Sequence, residues 1–127
     1  MRVLTIREPW ASLIINGYKE YEFRSWKTNY RGKILIHTSM GIDKEMLNRF
    51  SDYNINYITG AIIGEATLED CIEVDDNFSK TLRNINPIVY AKSNYVEKYA
   101  WKLTNIIKYE EPIYCKGHLG LWNYDKI

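Results

Sequence analysis

The sequence predicts a single α+β domain over residues 1–127, a small mixed β-barrel of about six short strands with two or three flanking helices. Its 127 residues are enough for one sizeable core, and 46% hydrophobic with 26% charged residues is typical of a globular chain. Apolar runs of strand length outnumber segments with helical spacing. The 11 tyrosines and 4 tryptophans suit a small β-rich core, and they also stack well on flat ligands.

Three strands and one helix are predicted in the first third of the chain. Residues 1–6 (MRVLTI) have the composition of a strand. A helix follows over about residues 9–16, because a proline opens this segment, Gly17 closes it, and apolar residues lie at helical spacing between them. The second strand covers roughly residues 19–25. The third covers residues 33–38 (KILIHT), where a continuous apolar run predicts burial on both faces.

The rest of the chain is predicted to mix helices and strands. A second helix is expected over about residues 41–53, and a long strand over residues 60–71, in which Gly64 indicates a bulge or bend. The remaining elements are expected to be a short helix at residues 78–82, a brief strand at residues 88–91, a strand at residues 99–109 with a helix as the alternative, and a glycine-flanked apolar turn before Trp122.

Charge and cysteine content narrow the function classes. The formal net charge is +1, so the total charge favours no particular partner. The charges are segregated, however: basic residues outnumber acids over residues 19–33, whereas residues 65–76 are acidic with no basic residue among them. Cys71 and Cys115 lack the spacing of a zinc or redox motif, and two histidines are too few for a metal cluster. We therefore expect neither a metal nor a cofactor.

The sequence predicts neither a signal peptide nor a membrane segment. Arg2, Arg7 and Glu8 interrupt any apolar run at the N-terminus, and no stretch approaches the length needed to span a bilayer. The expected location is therefore the reducing cytoplasm.

The segment INGYKEYEFRSW, residues 15–26, carries the strongest functional signal. It places Gly17, Lys19, Glu22 and Arg24 in a G-x-K-x-x-E-x-R spacing across the predicted helix-to-strand turn. Side chains two apart on a strand share a face, so Glu22 and Arg24 can meet. A guanidinium oriented by a carboxylate is a fork of donors suited to a base edge or a phosphate. The alternative is a purely structural ion pair, which proteins often keep for fold specificity.

Other residues are candidates for the same pocket. Trp10 and Trp26 can supply a stacking wall, which any nucleobase can use, with a core role as the alternative. His37 ends the third strand within reach of the pocket, with a hydrogen-bonded structural role as its alternative. Lys116 precedes the last glycine turn and is a candidate donor at the pocket rim. Tyr21 and Phe23 lie on the opposite face of the second strand, and we expect them to hold that strand to the core.

Three separated segments resemble ASCH domains, a family named for homology to activating signal cointegrator 1. EPWASLIINGYKEYEFRSWKTNYRGKILIHTS, residues 8–39, is similar to the family's PWA helix, its G-x-K-x-x-E-x-RSW turn and strand, and its YRG segment. GAIIGEATLEDC and YCKGHLGLWNYD resemble its later strand and its final K/R-G-x-x-G-x-W turn. The resemblance implies a PUA-like fold, a compact β-barrel with a helix beside a cleft, and binding of RNA or other nucleic acid.

The family's polar cleft corresponds to Lys19, Glu22 and Arg24 in this sequence. The implied partner is RNA, another single-stranded nucleic acid, or a nucleoside or nucleotide; a module that only binds other proteins is the alternative. The residues expected to bind the ligand are Trp10, Lys19, Glu22, Arg24, Trp26, Lys27, Arg31, His37 and Lys116, with Lys33 completing a basic rim.

Some relatives are enzymes, and this sequence departs from their pattern. One bacterial branch removes the acetyl group of N4-acetylcytidine with a lysine base and a threonine nucleophile in a G-x-K-x-x-T-x-R pattern. Here Lys19 matches the base, but Glu22 stands where the threonine would be. If the chain is an amidohydrolase, we expect Glu22 to activate a water with Lys19 as its electrostatic partner. Cleavage of RNA, linked to other ASCH proteins, is a further alternative.

Overall fold

The structure, a computed structural model, describes residues 1–90, 95 and 98–126. The predicted α+β class is confirmed. In chain order the elements are β1 (Arg2–Glu8), α1 (Trp10–Ile15), β2 (Tyr21–Arg24), β3 (Gly32–Ile42), α2 (Lys44–Arg49), a 3-10 turn (Ser51–Tyr53), β4 (Ala61–Glu73), α3 (Asp76–Ile85), β5 (Tyr99–Tyr114) and β6 (Leu121–Asn123).

The six strands form one mixed sheet in the order β2-β5-β4-β3-β1-β6. β1 and β3 are parallel, with α1 and β2 between them in the chain, and the other four pairs are antiparallel. β2 and β6 are the edges, and no pairing among the described residues joins them, so the sheet is not closed into the predicted barrel. β4, with 13 residues, is the long strand predicted over residues 60–71, whereas β5, with 16 residues, is longer than the strand predicted over residues 99–109.

Gly64 allows β4 to pass close to two neighbouring elements. The register between β3 and β4 shifts beside it, which confirms the predicted irregularity. A Cβ atom at Gly64 would lie only 2.5 Å from the carbonyl oxygen of Ile107 in β5 and 2.8 Å from Cδ1 of Ile15 in α1. Glycine is therefore needed for α1 to sit directly on the sheet.

The segment after α3 is a turn, so the strand predicted for residues 88–91 is wrong where the structure describes it. Residues 87–90 form this turn, and residue 91 lies outside the described residues. Oδ1 of Asn86 accepts hydrogen bonds from the backbone N–H groups of Ile88 and Val89, at 3.1 Å each. An asparagine that captures these donors removes them from a strand ladder.

The other predictions differ from the structure mainly at element ends. α1 and α3 cover the predicted first and third helices. β5 is the strand expected for residues 99–109, and it continues past Pro112. The second helix, predicted for residues 41–53, is reduced to α2 and the 3-10 turn, because β3 extends as far as Ile42.

The core has two main parts that share α1. The larger part contains buried side chains from β1, β3, β4 and β5, including Trp101, together with Ile14 of α1. The second part lies around α3 and includes Leu13 of α1, Tyr21 of β2 and Tyr90. Because α1 packs into both parts, apolar contacts fix its position beside β2. They therefore also fix the polar residues between the two elements.

Candidate functional site

A cleft of about 690 Å³ lies between α1, β2 and α2, with β1 and β3 contributing to its walls. Small-molecule sites typically enclose about 300–1,000 Å³, so the cleft is large enough for a nucleotide. Four of the residues predicted for a ligand site line it: Trp10, Lys19, Glu22 and Arg24.

The turn after α1 positions Lys19. Gly17 has φ of +84°, in the left-handed region that glycine adopts without strain, so the chain reverses there. The N–H groups of Tyr18 and Lys19 then donate to the carbonyl oxygen of Leu13, at 2.9 and 3.1 Å. The ammonium group of Lys19 in turn donates to the carbonyl oxygen of Tyr21 in β2. The turn at Gly17 therefore lets Lys19 connect the end of α1, through its backbone, to the start of β2, through its side chain.

Lys19, Glu22 and Arg24 form a linked group that we call the charge triad. Nζ of Lys19 lies 3.4 Å from Oε1 of Glu22, and Nη2 of Arg24 lies 3.0 Å from Oε2 of the same carboxylate. The side chains of Lys19 and Glu22 are only 4% and 11% exposed, and that of Arg24 is 24% exposed. Burial lowers the pKa of Lys19, and the negative charge of Glu22 opposes that decrease.

One buried hydrogen-bond donor of Arg24 has no partner among the described residues. Nη2 of Arg24 also donates to the carbonyl oxygen of Thr5 in β1, at 2.7 Å. Its Nε is buried and has no partner among the described residues. Buried polar groups are almost always satisfied, so this donor is left for a water molecule or another acceptor that the described residues do not supply.

The aromatic walls of the cleft are Trp10 and Phe23. Nζ of Lys19 lies 5.7 Å from the ring centre of Trp10 and 5.0 Å from that of Phe23, within the range of cation–π attraction. Phe23, expected on the core face, packs against the second part of the core, where it stacks on Tyr95 at 4.1 Å, and it also lines the cleft. Trp26, by contrast, lies outside the cleft with its ring edge-on to Trp101.

The predicted basic rim does not border the cleft. Lys27, Arg31 and Lys33 are absent from its lining. Arg31 instead lies 3.7 Å from a carboxylate oxygen of Asp70, and Lys33 lies 2.9 Å from one of Glu65. These two cations therefore belong to exposed ion pairs across the sheet.

Two arginines that the sequence did not predict as site residues border the cleft instead. Arg7 of β1 and Arg49 of α2 both line the cleft. Nη2 of Arg7 makes a 3.4 Å bond to the carbonyl oxygen of Ile42, and Arg49 has no partner in the part of the chain that the structure describes. Arg7 directly precedes the EPWA segment and could have been considered on that ground, whereas nothing in the sequence around Arg49 indicates its role.

His37 and Lys116 lie at a second hollow, of about 650 Å³, which we call the C-terminal hollow. His37 is buried, and its Nε2 lies 2.8 Å from the carbonyl oxygen of Cys115. Because a carbonyl only accepts, Nε2 carries the proton, and Nδ1 accepts from the Thr5 hydroxyl at 3.1 Å. Burial lowers the pKa of His37, consistent with a neutral ring whose two nitrogens are both occupied. The structural alternative therefore describes His37 better than direct ligand contact.

The described residues form neither a metal-binding cluster nor a membrane-spanning helix. These residues contain no group of three or more His, Cys, Asp or Glu side chains able to hold a metal ion. Cys71 and Cys115 are free thiols. No described helix combines the length and hydropathy needed to cross a membrane.

Comparison with known proteins identifies the family. A sequence model of the ASCH domain matches residues 4–113. The chain belongs to the ASCH domain family. Its curated relatives include activating signal cointegrator 1 of Homo sapiens, 27% identical over 139 residues, and that of Mus musculus, 25% identical over 134 residues. Each alignment covers 96% of this chain but 22% of the relative, so the ASCH domain spans about a fifth of their length.

Solved structures agree with the fold. An ASCH protein of Zymomonas mobilis matches with a TM-score of 0.58 at 21% identity, covering 89% of this chain and 72% of that one. A mutant form of the same protein matches with a TM-score of 0.55 at 19% identity, covering 89% and 74%. At such identities the likeness shows the fold alone, an α+β domain of the PUA-like kind.

Proposed function

We propose that this ASCH domain binds single-stranded nucleic acid, RNA in preference to DNA, and holds an unpaired nucleotide in the cleft. The observation that carries the proposal is the state of Arg24. Its guanidinium is fixed by Glu22 and Thr5, yet Nε remains without a partner among the described residues. A rigid, partly satisfied guanidinium suits the acceptor-rich edge of a base or a phosphate oxygen.

The charges around the cleft support an anionic ligand. Arg7 and Arg49 line it in addition to the charge triad. Glu22 is the only carboxylate in the described lining, and two cations already neutralise it. The domain thus concentrates positive charge at one site although its net charge is only +1.

The aromatic walls support a single-stranded ligand. Trp10 offers ring surface inside the cleft, and stacking on an aromatic side chain is worth about 1–3 kcal/mol per base. Phe23 completes the apolar wall, since its own ring already stacks on Tyr95. A base must be unpaired and unstacked to enter such a space, and duplex RNA keeps its base edges in a deep, narrow groove. RNA is the preferred ligand because binding of RNA is what the ASCH resemblance implies.

Replacement of Arg24 by alanine tests the proposal directly. We expect Arg24→Ala to weaken binding of a short, fluorescently labelled single-stranded RNA by about tenfold or more, because the variant loses the oriented guanidinium. Tenfold corresponds to about 1.4 kcal/mol of binding free energy. Lys27→Ala is the matched control, since it removes a nearby exposed cation that does not line the cleft. Fluorescence anisotropy gives both dissociation constants. Unchanged RNA affinity in a folded Arg24→Ala domain would refute the proposal.

A hydrolase acting on a modified nucleoside is the second candidate, and the charge triad is the observation that favours it. A buried lysine with a lowered pKa beside a carboxylate is a common arrangement in catalytic sites. In this reading Glu22 takes a proton from a water whose oxygen bonds to the amide carbonyl carbon. The C–N bond then breaks and Glu22 returns the proton to the leaving nitrogen, which gives a carboxylic acid and an amine. We expect N4-acetylcytidine to be deacetylated by the wild type and not by Glu22→Gln; no turnover by the wild type would remove this candidate.

A further inference from the structure

We infer that the binding path for the strand continues from the cleft into the C-terminal hollow, so that the domain holds two consecutive nucleotides. This inference rests on the proposed function and extends it to a second site. The hollow is bordered by the end of β3 and by the segment between β5 and β6. Its lining residues are Thr5, His37, Ser39, Met40, Gly60, Cys115, Lys116, Gly117, His118 and Leu119.

The cleft and the hollow are adjacent and rigidly connected. Thr5 and Ser39 line both of them. The carbonyl oxygen of Thr5 accepts from Arg24 of the charge triad, and its hydroxyl bonds His37 beneath the hollow. The same hydroxyl accepts from Nε1 of Trp122 at 3.0 Å. Thr5 thus fixes the distance between the cleft and the hollow. Two neighbouring nucleotides of one strand require such a fixed spacing.

The hollow presents groups that suit a nucleotide. Its described lining contains no carboxylate, and the exposed Lys116 has no ion pair or hydrogen bond to any described residue. Met40 and Leu119 at its border are 79% and 99% exposed, and the ring of His118 lies edge-on to Trp122. Exposed apolar side chains and the His118 ring beside a free ammonium group match a base and its phosphate.

Two glycines give the hollow its shape. A Cβ atom at Gly117 would lie 2.7 Å from Cε1 of His37 and 2.9 Å from Oγ1 of Thr5, so only glycine lets this segment close against them. Gly60 has φ of +70°, and a Cβ atom there would lie 2.6 Å from Sδ of Met40. His37 holds the same segment through the carbonyl oxygen of Cys115, directly before Lys116. His37 is therefore a positioning residue for Lys116.

The test compares uridine 5′-monophosphate with the dinucleotide UpU carrying a 5′-phosphate, using wild type, Lys116→Ala and Lys80→Ala. We expect the dinucleotide to bind wild type at least about tenfold more tightly than the mononucleotide, since a second stacked base adds about 1–3 kcal/mol. Lys116→Ala should lower dinucleotide affinity severalfold, leave mononucleotide affinity unchanged, and reduce the salt slope of dinucleotide binding by about one. Lys80→Ala controls for the loss of an exposed lysine elsewhere, on α3.

The outcomes separate this inference from the proposed function. Equal affinities of wild type for the two ligands, or a Lys116→Ala domain that binds the dinucleotide as wild type does, would overturn the two-nucleotide path. If Arg24→Ala still abolishes mononucleotide binding in that case, the proposed function survives alone. If the wild type binds neither ligand, both the two-nucleotide path and the proposed function are overturned.

Discussion

Replacement of Glu22 by alanine is expected to lower the free energy of unfolding by about 3–5 kcal/mol, the usual cost of leaving a buried charge without its partner. The side chain of Lys19 is only 4% exposed, and Glu22 is the acid that pairs with it. Without that carboxylate, the ammonium keeps the carbonyl oxygen of Tyr21 and the rings beside it but no negative charge. Urea denaturation followed by tryptophan fluorescence measures the loss.

The stability lost in Glu22→Ala should be larger at neutral pH than at high pH. Burial already lowers the pKa of Lys19 below its ordinary 10.5, so the unfolded chain binds more protons there than the folded chain. Stability associated with this group is therefore present above pH 10.5 and is lost as the pH falls through the lowered value. Because removal of Glu22 lowers that pKa further, the deficit of Glu22→Ala should be larger at pH 7 than near pH 10.

A double replacement provides the control. Lys19→Met with Glu22→Leu removes both buried charges and fills the space with apolar atoms, so it should recover much of the stability lost by Glu22→Ala. Its RNA affinity should stay low, because Arg24 has then lost the carboxylate that orients it. If Glu22→Ala is as stable as wild type at pH 7, the described burial of Lys19 is wrong.

The charge triad shows how the Glu–Arg pair can have a structural role and also serve the proposed site, because the two roles are not exclusive. Glu22 neutralises Lys19 inside the wall and at the same time orients Arg24 at its surface. A purely structural pair would use all of its donors internally. Nε of Arg24 does not, within the described residues, and this difference is what supports the proposed ligand site.

Most of the cleft that the sequence predicted comes from a short stretch of chain. Trp10 and the charge triad lie within one helix, one turn and one strand, so spacing and local geometry were enough to bring them together. The prediction from alternating side chains was wrong beyond the end of β2. β2 spans only Tyr21–Arg24, so the period of two does not extend to Trp26.

The remaining site residues depend on contacts that no local pattern encodes. Arg49 reaches the cleft because α2 follows an unexpectedly long β3, which spacing could not reveal. Arg31 and Lys33 were expected at the cleft because they lie in the basic stretch that includes the charge triad. The acids that pair with them instead, Asp70 and Glu65, lie on β4. Only the register between β3 and β4 places these acids opposite the basic segment.

Replacement of Glu8 by alanine is expected to cost about 2–5 kcal/mol, since it leaves buried donors unsatisfied and creates a cavity. Glu8 is fully buried, and its carboxylate accepts from the N–H of Ser12 at 2.7 Å, from the Ser12 hydroxyl, and from the N–H of Ile58 at 3.4 Å. It therefore caps the N-terminus of α1 and ties the helix to the segment before β4. RNA affinity should fall as well, because α1 carries Trp10.

Glu8→Gln separates the hydrogen bonds from the charge. Burial is the main cause of the raised pKa of Glu8, so the folded chain keeps a proton there that the unfolded chain releases above about pH 4.5. The stability from this group is therefore present below pH 4.5 and is lost as the pH rises through the raised value. Glutamine keeps an acceptor for Ser12 without ionising, so its deficit relative to wild type should shrink between pH 4 and pH 7. A deficit that is constant with pH would contradict the raised pKa of Glu8, and a deficit that grows with pH would show that the ionised carboxylate is the form that stabilises the folded domain.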